Sequence, residues 1–215
     1  MRYLLPTVAI AAMTAFGAGV AEAKDPQPPS KRVSSHLSLH LSQHAVMSGE
    51  RLVVHGAVRP GGKRRVKVVI SGPDGAVATA TTSSGGAFAL RFAPSQIGTY
   101  SARAYVSHRR RLKASQSATR HFTAFNSAVA SYYGPGLYGG ALACGGTLQP
   151  GTLGVAHKTL PCGSRVKLRY GRRSVTVRVV DRGPYAAGRD FDLTEATKAR
   201  LGFPDLGVVL FSRGG

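Results

Sequence analysis

The chain has 215 residues, with 29 Lys/Arg against 9 Asp/Glu, 2 cysteines and a formal net charge of +20 at pH 7. That length holds one or two small domains behind a leader, and two cysteines exclude both a disulfide-dense scaffold and a cysteine-built metal centre. The positive charge is diffuse rather than gathered into one cluster, which reads as general affinity for polyanions and excludes a specific nucleic-acid reader.

Met1-Arg2 opens the chain, Leu4 to Val20 is almost wholly apolar, and Ala21-Glu22-Ala23 offers a small-x-small cleavage site before Lys24-Asp25-Pro26. This pattern predicts a signal peptide over 1–23 and export with cleavage after Ala23. A transmembrane anchor is the weaker reading, because the run is short and is interrupted by Pro6, Gly17 and Gly19. No cysteine follows the run, so a lipoprotein is not expected. No second long apolar stretch follows, so no transmembrane anchor is expected after processing. An exported chain meets wall polymers, lipid headgroups and acidic sugars, and the expected partners include anionic wall polymers.

Residues 24–35 are rich in proline and charge and predict a disordered leader. From His36 the pattern alternates: Leu37, Leu39 and Leu41 share one face, and His36, Ser38 and His40 share the other. Further strands are predicted at 51–58, 65–70, 77–82, 87–92, 98–106 and 118–125. Gly- and Pro-rich turns such as Arg59-Pro60-Gly61-Gly62 and Gly72-Pro73-Asp74-Gly75 separate them. Seven short strands at this spacing predict an immunoglobulin-like β-sandwich over 36–125. His36, His40 and His44 have the spacing of helical metal ligands, but on a strand 36 and 40 only share a solvent face. No metal and no other cofactor is expected. Arg109-Arg110-Arg111 reads as a charged loop.

Composition shifts near Asn126-Ser127, and a second domain is predicted over 128–215. Strands are expected at 128–133, 153–157, 165–170, 174–180 and 208–212. One short helix is expected, with Thr194 as N-cap, Glu195 in its first turn, Lys198 and Arg200 near its end and Gly202 as stop. This combination predicts a small closed β-barrel. In an oxidising compartment Cys144 and Cys162 read as a disulfide worth on the order of 3 kcal/mol; two buried thiols are the alternative.

Two stretches carry the chemistry. Val155-Ala156-His157-Lys158-Thr159-Leu160-Pro161 and Val180-Asp181-Arg182-Gly183-Pro184-Tyr185 place a histidine and a carboxylate at strand ends beside Pro/Gly turns. Together with Ser131-Tyr132-Tyr133-Gly134, Ala143-Cys144-Gly145 and Asp192-Leu193-Thr194, in this order, they resemble the RlpA-like double-psi β-barrel domain. Septal-ring lytic transglycosylases contain that domain, and expansin- and barwin-like proteins contain its relatives. The resemblance covers residues 128–212 and implies a six-stranded barrel acting on the glycan strands of bacterial peptidoglycan. The expected fold class is therefore all-β, an immunoglobulin-like sandwich followed by a six-stranded double-psi barrel with one short helix.

The resemblance implies His157 and Asp181 as catalytic residues, and Gly146 stands where the family's third polar residue, an acid, would fall. Asp181 reads as an acid/base, with an Asx-turn residue as the alternative. His157 reads as a group that orients the sugar or holds Asp181, with a structural histidine as the alternative. Asp192 matches the aspartate of the expansin-like His-Phe-Asp pattern, with Asp190 in the histidine's place. It reads as a second carboxylate or as one favoured by the helix dipole. Tyr132, Tyr133, Tyr138 and Tyr185 are expected along a sugar groove, and Arg182 bears on Asp181 according to where its guanidinium turns. Two functions follow: a lytic transglycosylase-like enzyme, or a non-catalytic wall-binding or wall-loosening module. Plain polyanion binding rests on charge alone.

Overall fold

A computed structural model describes residues 31–109 and 111–214; the expected signal peptide and residues 24–30 of the expected leader lie outside them. Val33 donates to the Arg111 carbonyl and accepts from the Lys113 amide, so the chain pairs with its neighbours from there onward.

The described strands are, in chain order, β1 (His36–Leu41), β2 (Ala45–Met47), β3 (Leu52–Arg59), β4 (Arg65–Ser71), β5 (Ala76–Thr81), β6 (Ala87–Phe92), β7 (Gly98–Val106), β8 (Ser115–Gln116) and β9 (Arg120–Tyr133). Then follow β10 (Gly154–His157), β11 (Arg165–Tyr170), β12 (Arg173–Asp181), β13 (Phe191–Thr194), the helix α1 (Glu195–Leu201) and β14 (Leu206–Arg213). The described residues are all-β apart from this one helix.

In the N-terminal half, β1-β3-β6 form a three-stranded sheet, and β5-β4-β7-β9 belong to a longer one. Leu37 and Leu39 of β1, Val54 and Val58 of β3, Val66 and Val68 of β4, and Tyr100 and Ala102 of β7 bury into one shared core. Period-two alternation produces this: every second side chain turns inward, and each Val or Leu so buried stabilises the fold by roughly 1.5–3 kcal/mol.

β9 is a single strand of 14 residues that serves two cores. Phe122 and Ala124 bury into the first core, and Ala128 and Ala130 bury into the second. All four have the same parity, so one strand face supplies both. The composition shift at Asn126-Ser127 marks a change of core rather than a break in the strand.

The second core lies inside a ring. β13, β10, β12, β11, β14 and β9 pair in that order, and β9 pairs back with β13, so six strands close with no free edge. The β10–β12 and β13–β9 pairs are parallel and the other four are antiparallel. Val155, Val166, Leu168, Val177, Val179, Phe191 and Leu193 fill the interior. The helix begins as its sequence predicts. Thr194 caps it by accepting from the Thr197 amide, Glu195 sits in the first turn, and Gly202 ends it at φ 61°. Among the described residues no helix is long and apolar enough to cross a membrane.

Candidate active site

The position of Asp181 follows from a register shift. Val155 of β10 lies opposite Val179, but the next residue, Ala156, lies opposite Asp181, so Val180 is an extra residue in β12. Val180 leans over Gly154, where any Cβ would run into its methyl groups. The Gly154 backbone is held by the buried Thr194 and Thr197 hydroxyls, which ties the bulge to the start of the helix.

On its other side Ala156 pairs with Asp192, and Asp192 pairs with Ser131. Residues directly opposite one another project to the same sheet face. Asp181, Ala156, Asp192 and Ser131 therefore form one transverse row across β12, β10, β13 and β9, on the outer face of the barrel. Two strand intervals of about 4.8 Å put the two aspartate backbones roughly 10 Å apart, with only the Ala156 methyl between them.

Asp181 Oδ1 accepts from the Ala143 amide at 2.9 Å and the Arg182 amide at 2.8 Å. Its Oδ2 makes no ordinary hydrogen bond among the described residues. Asp192 Oδ1 accepts from Ser131 Oγ at 2.5 Å. The single ion pair among the described residues is Lys198–Asp205, so neither Asp181 nor Asp192 is neutralised by a described cation.

Tyr133 shares strand parity with Ser131, and its hydroxyl lies within the field of both carboxylates. Its pKa is raised well above the usual phenol value, first by burial, then by the charges of Asp181 and Asp192, and last by the approach of its hydroxyl to Asp181. That approach falls short of a hydrogen bond of ordinary geometry, and the buried hydroxyl has no partner among the described residues. The phenol therefore stays protonated, with a proton to donate beside a carboxylate.

His157 lies one residue beyond Ala156 and so turns to the opposite side of β10. Its ring packs on Phe191 with centroids 4.8 Å apart. Nδ1 accepts from the Thr159 amide at 3.1 Å and the Leu160 amide at 3.0 Å, which leaves the ring proton of the neutral imidazole on Nε2. Burial holds its pKa below the usual histidine value; Asp190 opposes that shift, and Arg182 and Lys158 add to it. No hydrogen bond joins His157 to Asp181 among the described residues. His157 instead borders a separate cavity of about 630 Å³ with Leu160, Val166, Phe211 and, from the N-terminal half, Ile97.

Arg182 also turns away from Asp181. Its guanidinium donates to the His157 carbonyl at 3.2 Å and the Leu160 carbonyl at 2.9 Å, and it reaches Cys162 Sγ at 3.1 Å. It braces the turn that carries His157. The disulfide Cys144–Cys162 closes the same region, with Cα atoms 5.4 Å apart. The Cys144 amide bonds the Val180 carbonyl, and the Gly163 amide bonds the Val179 carbonyl, so both cysteine segments clasp the end of β12 that presents Asp181.

The other expected residues disperse. Tyr132 packs partly into the barrel core with Lys198 Nζ 3.6 Å from its ring centroid, and Tyr138 bonds Glu195 at the helix start. Tyr185 projects into solvent, 86% exposed. Asp190 accepts from the Val129 amide at 2.9 Å and closes the β9–β13 pair. Gly146 lies in an exposed turn at φ 78° with open space where a side chain would begin. Sequence reasoning assigned no role to Ser131 or to the Ala143 amide. Ser131 was detectable from its shared parity with Tyr133; the amide left no sequence signal.

Residues 126–212 match the family described as lytic transglycolase. Over 83 residues, 37% of this chain, the sequence is 45% identical to a Synechocystis protein named "Probable endolytic peptidoglycan transglycosylase RlpA". It is 40% identical over 75 residues to a protein of Campylobacter jejuni, and 41% identical over 83 residues to one of Pseudomonas aeruginosa, both named endolytic peptidoglycan transglycosylase RlpA. The matched segments cover 34% and 38% of this chain, respectively. The chain spans only about a quarter of these relatives: 26%, 27% and 24% of their lengths.

Proposed function

We propose, on the premise that residues 126–212 form an RlpA-like double-psi β-barrel domain, that the protein acts on peptidoglycan glycan strands in a lytic transglycosylase-like reaction. The observation that carries this reading is the registered row Asp181–Ala156–Asp192–Ser131, with the buried Tyr133 hydroxyl approaching Asp181 and within the field of both carboxylates. Hydrolysis by inversion uses two carboxyl groups and a water between them. Intramolecular transfer needs less. Asp181 acts as the acid/base, passing a proton to the glycosidic oxygen as the C1–O bond breaks. The sugar's own 6-hydroxyl bonds C1, and its proton returns to Asp181, so an anhydro sugar and a free chain end form with no water consumed. In this reading Asp192, held by Ser131, stabilises the positive charge that develops at C1, and the Tyr133 hydroxyl holds the Asp181 carboxylate between the two proton transfers.

His157 fits this scheme as a positioning residue: its turn, Arg182 and the disulfide fix the strand end from which Asp181 projects. Export with cleavage after Ala23 belongs to the same reading, because the substrate lies outside the cytoplasm. A second reading is an expansin-like module that binds or loosens wall polysaccharide without cutting it. One observation favours it: position 146, where the family acid is expected, is an exposed glycine.

Purified sacculi digested with the full mature chain and with Asp181→Asn separate the two readings. Anhydro-muropeptides from the wild type and none from the variant support the enzyme. Equal pelleting of both proteins with sacculi, and no soluble product from either, replaces the enzyme with the binding module.

A further inference from the structure

A groove of about 430 Å³ runs along the seam where β2 and β9 of the N-terminal half meet the β11–β12 hairpin of the barrel. His44, Thr123, Lys167, Arg169, Arg172 and Ser174 contribute most of its polar lining. Lys167 and Arg169 share strand parity opposite to the buried Val166 and Leu168, so both project outward from the ring. Lys167 Nζ donates to Thr123 Oγ1 at 3.2 Å, which ties the barrel to the other half. Arg169 spends its Nε–H on the Gly171 carbonyl at 3.0 Å, and its two Nη groups have no partner among the described residues. No acidic residue lines the groove. Three cations and two hydroxyls thus converge with no carboxylate to balance them. Such a site is completed by an anion from outside, and guanidinium groups match the oxygens of a phosphate.

None of the residues of the carboxylate row lines the groove, and on the shared strand β12 the groove residue Ser174 and Asp181 stand seven positions apart. In the six-strand ring β11 stands diametrically opposite β13, which carries Asp192. We infer that this seam groove binds the phosphate groups of an extended phosphodiester polymer, holding the protein at a site apart from its carboxylate row. A chain is favoured over a lipid surface by the surroundings. The exposed large apolar side chains among the described residues, such as Leu137, Leu153, Tyr185, Leu206 and Val208, do not line the groove, so nothing there would enter a bilayer.

The test is a titration of the full mature chain with a poly(glycerol phosphate) chain at about physiological ionic strength, where loose surface attraction is screened. Arg169→Gln/Arg172→Gln is expected to weaken binding by about tenfold and to flatten its dependence on salt. Arg109→Gln/Arg111→Gln removes the same charge from the N-terminal half and is expected to change binding less than twofold. Equal losses in the two variants overturn the proposal in favour of net charge alone. Binding to phosphatidylglycerol vesicles with none to the polymer overturns it in favour of a lipid surface. Release of anhydro-muropeptides from sacculi stripped of phosphate polymers is expected to be the same for wild type and Arg169→Gln/Arg172→Gln. Failure of the glycan reading therefore leaves this inference standing, and the reverse holds too.

Discussion

The covalent tie across the clasp around Asp181 can be removed by replacing both cysteines with alanine. Cys144 and Cys162 are 18 residues apart. In the chain-entropy account, closing a loop of that size takes about 11 cal/mol/K from the unfolded chain, or about 3 kcal/mol at 25 °C. For a chain of this size each kcal/mol moves the melting temperature by about 2–4 °C, so the double variant is expected to melt roughly 6–12 °C lower. The loss should be local in origin. Arg182 keeps its bonds to the His157 and Leu160 carbonyls, whereas the 141–148 turn, which supplies the Ala143 amide to Asp181, loses its covalent tie. Calorimetry on oxidised wild type, reduced wild type and Cys144→Ala/Cys162→Ala measures the change. Reduced wild type should match the double variant, and both should release less anhydro-muropeptide than oxidised protein at a temperature where all three are folded. Melting temperatures within 1 °C of one another would refute the reasoning, because the loop would then contribute nothing to the unfolded-state entropy.

Three further outcomes are expected. The folded-state pKa of His157 lies below its unfolded value of about 6.5, so the unfolded chain binds more protons between the two values. The stability this histidine contributes is complete above about pH 6.5 and is lost as pH falls through the folded pKa. Urea midpoints across that window should show His157→Asn with a shallower pH slope than wild type, and an equal slope would remove this origin for it. Thr194→Ala removes both the helix cap and two bonds to Gly154, and chemical denaturation should show a loss of about 1–2 kcal/mol; a change below 0.3 kcal/mol would mean that the cap is redundant. Gly154→Ala drives a methyl into Val180, and should cost about 1–3 kcal/mol and lower glycan turnover by displacing Asp181; unchanged turnover would separate the bulge from the site.

What the sequence made legible was local. The alternation of Leu37 and Leu39, the Thr194 cap with its Gly202 stop, and the turn residues around Asp181 each declare their structure within a few positions, because capping and period-two burial are short-range effects. His157 and Asp181 were recognisable as residue types at strand ends. Their relation was not. It depends on one extra residue, Val180, which resets the parity of β12 and sends Asp181 to the outer face while His157 turns to the other side. The partnership of Asp192 with Ser131 spans 61 positions and arises from the parallel β9–β13 pair that closes the ring. Register between distant strands is set by the summed fit of two faces, and no single residue encodes it. The same holds for β9, where the polar pair Asn126-Ser127 lies opposite Phe211 and Leu210 and continues the ladder through backbone bonds that any side chain permits.

The two outer faces of the barrel share β12, and that gives a way to decide whether they act separately. Ser174, near one end of the strand, borders the cationic groove, and Asp181 ends the other. At about 3.3 Å per residue the two lie roughly 23 Å apart along the strand. Substitutions more than about 7–10 Å apart with no shared partner combine additively. Arg169 and Arg172 share no hydrogen-bond partner with Asp181 among the described residues. Polymer affinity measured in wild type, in Arg169→Gln/Arg172→Gln, in Asp181→Asn and in the combined variant should therefore show no coupling beyond about 0.5 kcal/mol. A larger coupling would mean that one polymer wraps the ring and touches both faces. The carboxylate row and the cationic groove would then be two ends of a single path, with glycan and phosphate drawn from the same wall polymer.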